Sequence, residues 1–134
     1  NINNMAHFAK LSEENVVLNI VSMDDKDMLD ENNNPSEAVG QAHLAKHNNW
    51  PANLWKQYSY DTVRNQHQKG GTPFRGNSAG IGGIWDPSNE IFIEQKPFAS
   101  WTLDLSEAKW QSPAGDAPDR DHLWNEDTQS WYLP

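Results

Sequence analysis

Short apolar runs broken by polar turns open the chain. MAHFAKL at residues 5–11 and VVLNIVSM at residues 16–23 are β-prone segments separated by Ser12-Glu13-Glu14-Asn15, and they predict a β-hairpin over residues 5–23. Val16, Leu18 and Ile20 are expected to share one face. An acidic stretch, residues 24–34, leads to Pro35-Ser36, where Ser36 can cap a helix over residues 37–47. Ala38, Ala42 and Ala45, with Val39 alongside, form a narrow small-residue stripe suited to lying on a sheet. Asn48-Asn49-Trp50-Pro51 stops that helix, and residues 54–60 alternate as a strand, with Trp55, Gln57 and Ser59 opposite Lys56, Tyr58 and Tyr60. Residues 61–78 are polar up to Lys69, run through Gly70-Gly71-Thr72-Pro73, and read as a long exposed loop.

The last fifty residues carry an internal repeat. Trp85-Asp86 is followed by Phe92, Leu103-Asp104 by Trp110, and Trp124-Asn125 by Trp131, so two apolar positions recur seven residues apart. Asp86, Asp104 and Asn125 are the turn formers, because an Asx side chain accepts a hydrogen bond from the backbone two residues on. A turn centred in each spacer puts Trp85 opposite Phe92, Leu103 opposite Trp110 and Trp124 opposite Trp131 across three hairpins. Pro97, Pro113 and Pro134 follow the units and end the strands. A lone hairpin is marginal in water, so the units must pack on one another, on the first part of the chain, or on a partner. The expected fold is a β-rich α+β protein. A small antiparallel sheet with one helix occupies residues 1–83 and a hairpin array residues 84–134.

Composition adds a contradiction to this pattern. Mean hydropathy is −0.88, yet the 134 residues include 7 Trp, and disordered chains are poor in aromatics. Without cysteine there is no disulfide scaffold, thiolate metal site or cysteine nucleophile. No apolar run approaches the ~20 residues of a membrane-spanning helix, and no signal-peptide pattern is present, so no membrane partner is expected. The net charge of −9 divides as −5 over residues 1–50, +3 over 51–83 and −7 over 84–134. Lys56, Arg64, Lys69 and Arg75 make the middle segment the stretch suited to an acidic neighbour. Four charges over some twenty residues are a poor nucleic-acid footprint.

Candidate chemistry is sparse. His43 and His47 stand four apart on the expected helix but lack the Glu of a zincin motif, and read as solvated histidines near a helix C-terminus. Asp30, Asn32 and Asn34 imitate the opening of a calcium loop, but Pro35 and Gln41 occupy the positions of its Gly and bidentate Glu. Residues 76–83 are glycine-rich without a P-loop Lys or a following helix. Ser78 and Ser88 lack a nucleophile elbow, and Asp116, Asp119 and Asp121 lie in a Pro/Gly-rich connection without a desolvating wall. Catalytic residues, cofactors and metals are therefore not expected. The tryptophans have two readings. They are the core of hairpins that have few Leu, Ile or Val after residue 94, or Trp101, Trp110 and Trp124 display faces for stacking on sugars, as in a carbohydrate-binding adhesin. The core reading takes precedence, with glycan binding kept as the alternative.

The chain also resembles a family. Met5-Ala6-His7-Phe8-Ala9-Lys10-Leu11, Glu14-Asn15-Val16-Val17, Leu29-Asp30-Glu31-Asn32, Ser36-Glu37-Ala38-Val39-Gly40, Trp55-Lys56-Gln57 and Ser59-Tyr60 are similar to small proteins of marine tailed phages, notably those of cyanobacteria. The resemblance continues through Phe74-Arg75, Asn77, Ala79-Gly80-Ile81-Gly82, Asp86, Phe92-Ile93, Pro97, Ser100-Trp101-Thr102-Leu103-Asp104, Trp110, Pro113, Trp124-Asn125-Glu126 and Ser130-Trp131. It implies a viral origin, assembly in the host cytoplasm and a place in the virion, as capsid decoration or a tail or neck accessory protein. The partners so implied are other virion proteins, met in homo-oligomeric or multicopy form. An intracellular factor acting on host proteins is a further alternative. Departures are Asn33 for the family's Gly, Ser78 for Tyr, Trp85-Asp86 for Tyr-Asp, and residues 61–73, which read as an insertion. Four residues precede Met5, where the family usually begins, so the chain is expected to start upstream or to be processed.

Overall fold

The computed structural model describes residues 5–134, so the expectation about the four residues before Met5 lies outside it. The fold is β-rich α+β. Strands β1 (Met5–Leu11) and β2 (Val17–Asp24) form the expected hairpin, and β3 (Trp55–Tyr58) pairs antiparallel with the other side of β1, giving the order β2-β1-β3. A 3-10 turn at Asp25–Met28 and the helix α1 (Glu37–Asn48) lie between β2 and β3. Four two-stranded hairpins follow. They are β4–β5 (Thr62–Val63, Gln66–His67), β6–β7 (Ile84–Asp86, Ile91–Ile93), β8–β9 (Thr102–Asp104, Lys109–Gln111) and β10–β11 (Leu123–Asn125, Ser130–Tyr132).

The central strand β1 is apolar on both faces and so divides the core in two. Ala6 and Phe8 join Met23, Met28, Leu44 and Trp55 on the helix side, while Ala9 and Leu11 join Val17, Tyr58, Ala79, Trp85 and Phe92 on the other. Each fully buried large side chain contributes about 1.5–3 kcal/mol. Trp85 and Phe92 come from the first hairpin of the repeat, so the boundary placed after residue 83 runs through a packed region. The backbone agrees: Val17 N–H donates to Gly83 and Trp85 N–H to Asn15.

Three expectations are corrected. Val16, Leu18 and Ile20 do not share one face: Ala9 and Leu11, two apart on β1, pair with Ile20 and Val17, three apart on β2, so the alternation is broken between them. The cause is a register shift at Lys10/Leu11, which pairs Leu11 with Val17 but Lys10 with Asn19 and leaves Leu18 as the extra residue. The helix is capped as expected, by Ser36 Oγ accepting from Val39 N–H and by Asn49 in the left-handed region at its end. Its buried residues, however, are Gly40 and Leu44, and Ala38 and Ala42 are exposed. Finally, residues 61–78, expected as a long exposed loop, are largely exposed but not without regular structure. They contain β4–β5, and the fully buried Thr62 organises them: its hydroxyl accepts from Phe74 N–H and its carbonyl from Ser78 N–H.

Gly40 lets α1 settle on the sheet. A Cβ there would stand 2.6 Å from Phe8 Cζ, and the ring is completely buried, with little freedom to move. Gly40→Ala should therefore destabilise the fold by about 1–3 kcal/mol through overpacking, although alanine is the better helix former. Urea denaturation checks the sign, since a helix limited by propensity would gain stability.

Candidate functional site

The site is assembled on the free edge of β3. Across the sheet Gln57 pairs with Phe8, and its own N–H and C=O point outward, away from β1. Glu37, in the first turn of α1, accepts the Gln57 N–H at 2.7 Å, and Arg75 Nη1 donates to the Gln57 carbonyl at 2.9 Å. The guanidinium also holds Glu37 bidentately, with Nη2 to Oε1 at 2.7 Å, and lies over the rings of Phe74 and Trp85. Two residues earlier on the same edge, Gln41 donates to the Trp55 carbonyl. Burial pushes the Glu37 carboxyl up, but hydrogen bonds from Arg75 and the Gln57 N–H, with the charges of Arg75 and Lys56, bring it below its ordinary value.

From Arg75 the chain leads into the hairpin array. Asn77 accepts from Arg64 N–H and donates to the carbonyls of Phe92 and Ala108, tying three hairpins at one amide. Asn65 extends the link by donating to Leu105 and Ser106. Gly76 sits beside them at φ +79°, where a Cβ would come within 3.1 Å of the Cβ atoms of Ala108 and Ile91. Both the backbone and the space require glycine there.

The three repeat hairpins share one geometry. Trp85 pairs with Phe92, Leu103 with Trp110 and Trp124 with Trp131, as the seven-residue spacing predicts. Asp86 accepts from the N–H groups of Ser88 and Asn89, Asp104 from Ser106, and Asn125 from Thr128. The Ser106 hydroxyl, with backbone N–H groups, holds the Asp104 carboxyl below its usual range. In each unit four residues separate the Asx from its partner strand, and the fourth is left-handed: Glu90 at φ 54°, Ala108 at 48° and Gln129 at 50°. This is the type I turn with a left-handed closing residue. Sequence reasoning reached the Asx-opened turn but not its left-handed closing residue, because none of the three is glycine or asparagine.

The hairpins dock by different chemistry. Trp85 and Phe92 are buried in the core, with ring centroids 4.8 Å apart. Trp110 is half-buried, donates to the Glu94 carbonyl and lies beneath Lys96. Trp124 and Trp131 meet edge to face at 5.1 Å, and Trp101 packs on both. Glu126 clamps this group, accepting from the Trp124 indole and from the Ser100 hydroxyl and N–H, and these bonds lower its carboxyl pKa. Trp131 donates to the Gly115 carbonyl, which the Ser112 hydroxyl also reaches. Among the described residues the buried Trp101 indole N–H has no hydrogen-bond partner.

The four basic residues expected to meet a partner do not form a patch. Arg75 is spent on Glu37, Lys69 lies 3.9 Å from Asp61, and Lys56 sits over the Trp85 ring. Arg64 is exposed and lines a groove of about 440 Å³ with Val63, Asn77, Ile81, Phe92 and Trp110. The rings of His43 and His47 lie tilted against each other with centroids 4.4 Å apart, and Asp30 uses Oδ1 to accept from Asn32 and Asn34 N–H, closing its own turn. Among the described residues no three His, Asp or Glu side chains converge as metal ligands. Comparison with protein-family models, curated proteins and solved structures finds no match to this chain.

Two outcomes follow from this geometry. Because the folded Glu37 carboxyl titrates below its ordinary 4.5, the unfolded chain binds that proton more readily. The stabilisation is therefore complete above about pH 4.5 and fades as pH falls through the folded value. Glu37→Gln should cost about 2 kcal/mol at neutral pH and remove this part of the acid dependence, read by urea denaturation across pH 3–7. At the turn, Glu90→Gly should stabilise by about 0.5–1 kcal/mol by relieving the left-handed backbone, measured as a rise in denaturation midpoint.

Proposed function

We propose that this chain is a non-enzymatic structural protein of a tailed-phage particle, decorating the capsid or attached to the tail or neck, and acting through protein–protein contacts. The observation that carries this reading is a series of hairpins, anchored on a sheet-and-helix unit, that present apolar side chains to solvent. Ile81 is 67% exposed on the rim of the groove, Leu105 protrudes from the β8–β9 turn, and Leu123 faces Tyr132 on the outer side of the last hairpin. Scattered apolar tips of this kind suit seating against neighbouring subunits. The similarity of residues 5–134 to marine-phage proteins supports the same reading. With Arg75 paired to Glu37 and Lys56 lying over the Trp85 ring, the cations do not gather into a patch, which supports a protein partner over nucleic acid. The edge-to-face packing of Trp101, Trp124 and Trp131 favours the structural role over sugar stacking, which needs an open ring face.

Mass spectrometry of purified virions, with infected-cell lysate in parallel, is the test. The protein should be present in particles in multiple copies. Detection in infected cells but not in particles would overturn the reading in favour of an intracellular factor.

A further inference from the structure

The two edges of the three-stranded sheet are treated differently, and the difference points to a partner. On β3 the outward backbone groups of Gln57 and the Trp55 carbonyl are all occupied by side chains of Glu37, Gln41 and Arg75. The same alternation fixes the other edge. Gln57 faces outward, so Phe8 directs its backbone groups to Val21, which leaves Ile20 and Ser22 of β2 pointing away from the sheet. At the beginning of β2 that outer side is taken, because Val17 exchanges hydrogen bonds with Gly82 and Gly83. Beyond it, among the described residues, the Ile20 N–H meets only the side chain of its neighbour Asn19, and Ser22 makes no bond outside the β1 ladder.

We infer that this open stretch of β2 pairs antiparallel with β2 of a second copy of this chain, joining two three-stranded sheets into one of six strands about a two-fold axis. Charge and register both favour a second copy. Residues 15–23 carry no charge in a chain of net charge −9, so this is a line along which two such acidic chains can approach. With the axis through Val21, Ile20 of each chain pairs with Ser22 of the other and four backbone hydrogen bonds close. Asp24 then lies opposite Leu18, well away from its own mate. Sliding the partner two residues further toward Val17 would drive it into Gly82 and Gly83, whereas the axis at Val21 clears the occupied end. Ile20, exposed on one face of the strand, is partly covered by the same contact.

The inference concerns the isolated chain and does not depend on the particle reading. The full-length chain is examined by sedimentation equilibrium from micromolar to millimolar concentration, and oxidative cross-linking is applied to Val21→Cys and, as a control on the opposite edge, Lys56→Cys. The expected result is a dimer that tightens with added salt as repulsion between acidic copies is screened. Val21→Cys should form a disulfide dimer and Lys56→Cys should not, because Val21 would face its mate at a non-hydrogen-bonded pair. Ser22→Pro removes one outward donor per chain while sparing the β1 ladder, and should weaken the dimer at least about tenfold with an unchanged circular dichroism spectrum. Asn19→Ala, which frees the Ile20 N–H, should strengthen it. A wild-type chain that stays monomeric throughout, or a dimer indifferent to Ser22→Pro and equally cross-linked through Lys56→Cys, would overturn the proposal.

Discussion

The guanidinium of Arg75 does on the edge of β3 what a fourth strand would do. It donates to the Gln57 carbonyl while Glu37, which it holds, accepts the Gln57 N–H, so the edge is completed by side chains instead of backbone. Glu37 belongs to the helix and Arg75 to the long excursion after β3, so three segments remote in sequence are fixed by one pair. Removing charges from water is costly, and burial alone would raise the Glu37 pKa. The net lowering shows that the hydrogen bonds and opposite charge outweigh that cost. Because Phe74 and Trp85 flank the guanidinium, the same pair sets where the first repeat hairpin enters the core.

From that anchor the hairpins are attached by progressively less buried chemistry. A two-stranded hairpin has no independent stability to speak of, so each needs an external hold. The first is secured by burial of Trp85 and Phe92, the second by the amides of Asn65 and Asn77 with the indole of Trp110, and the third by a cluster of half-buried rings clamped by Glu126. Local stability follows buried apolar contact, and so declines toward the C-terminus. The excess of tryptophan in a hydrophilic chain thereby acquires two explanations. Trp55 and Trp85 are core residues, and the C-terminal rings are rivets between elements too small for an aliphatic core.

What the sequence disclosed was local and periodic. The hairpin pairs were legible because a fixed seven-residue interval with an Asx at its start leaves one geometry for the turn, and the helix start because Ser36 precedes a helical run. The fold class followed from those elements. The hidden features were those decided by distant partners. The stripe of alanines pointed to the wrong face of α1, since the lack of a side chain at Gly40 and the reach of Glu37 and Gln41 to β3 decided the helix rotation. Val16, Leu18 and Ile20 looked like one face by alternation, and one extra residue opposite β1 broke that alternation. Arg75 and Lys56 counted as available charge because nothing local announces that a cation will lie on an aromatic ring or across a strand edge.

The charge pattern changes meaning once those cations are placed. In sequence, residues 51–83 form a basic interval between acidic ends, but Arg75 is paired with Glu37 and Lys56 lies over the Trp85 ring, so the exposed cations of that interval are Arg64 and Lys69 and no basic patch forms. An acidic surface keeps copies of a chain apart except where it is interrupted, and β2 interrupts it. Strand edges are commonly guarded by lysine or proline, and β2 has neither. It has Asn19, whose amide oxygen occupies the Ile20 N–H. That is a guard without charge, one that another backbone carbonyl can replace at little electrostatic cost. The contrast with β3, closed by a half-buried bidentate ion pair, makes the sheet one-sided: fixed to its own chain along one edge and exchangeable along the other.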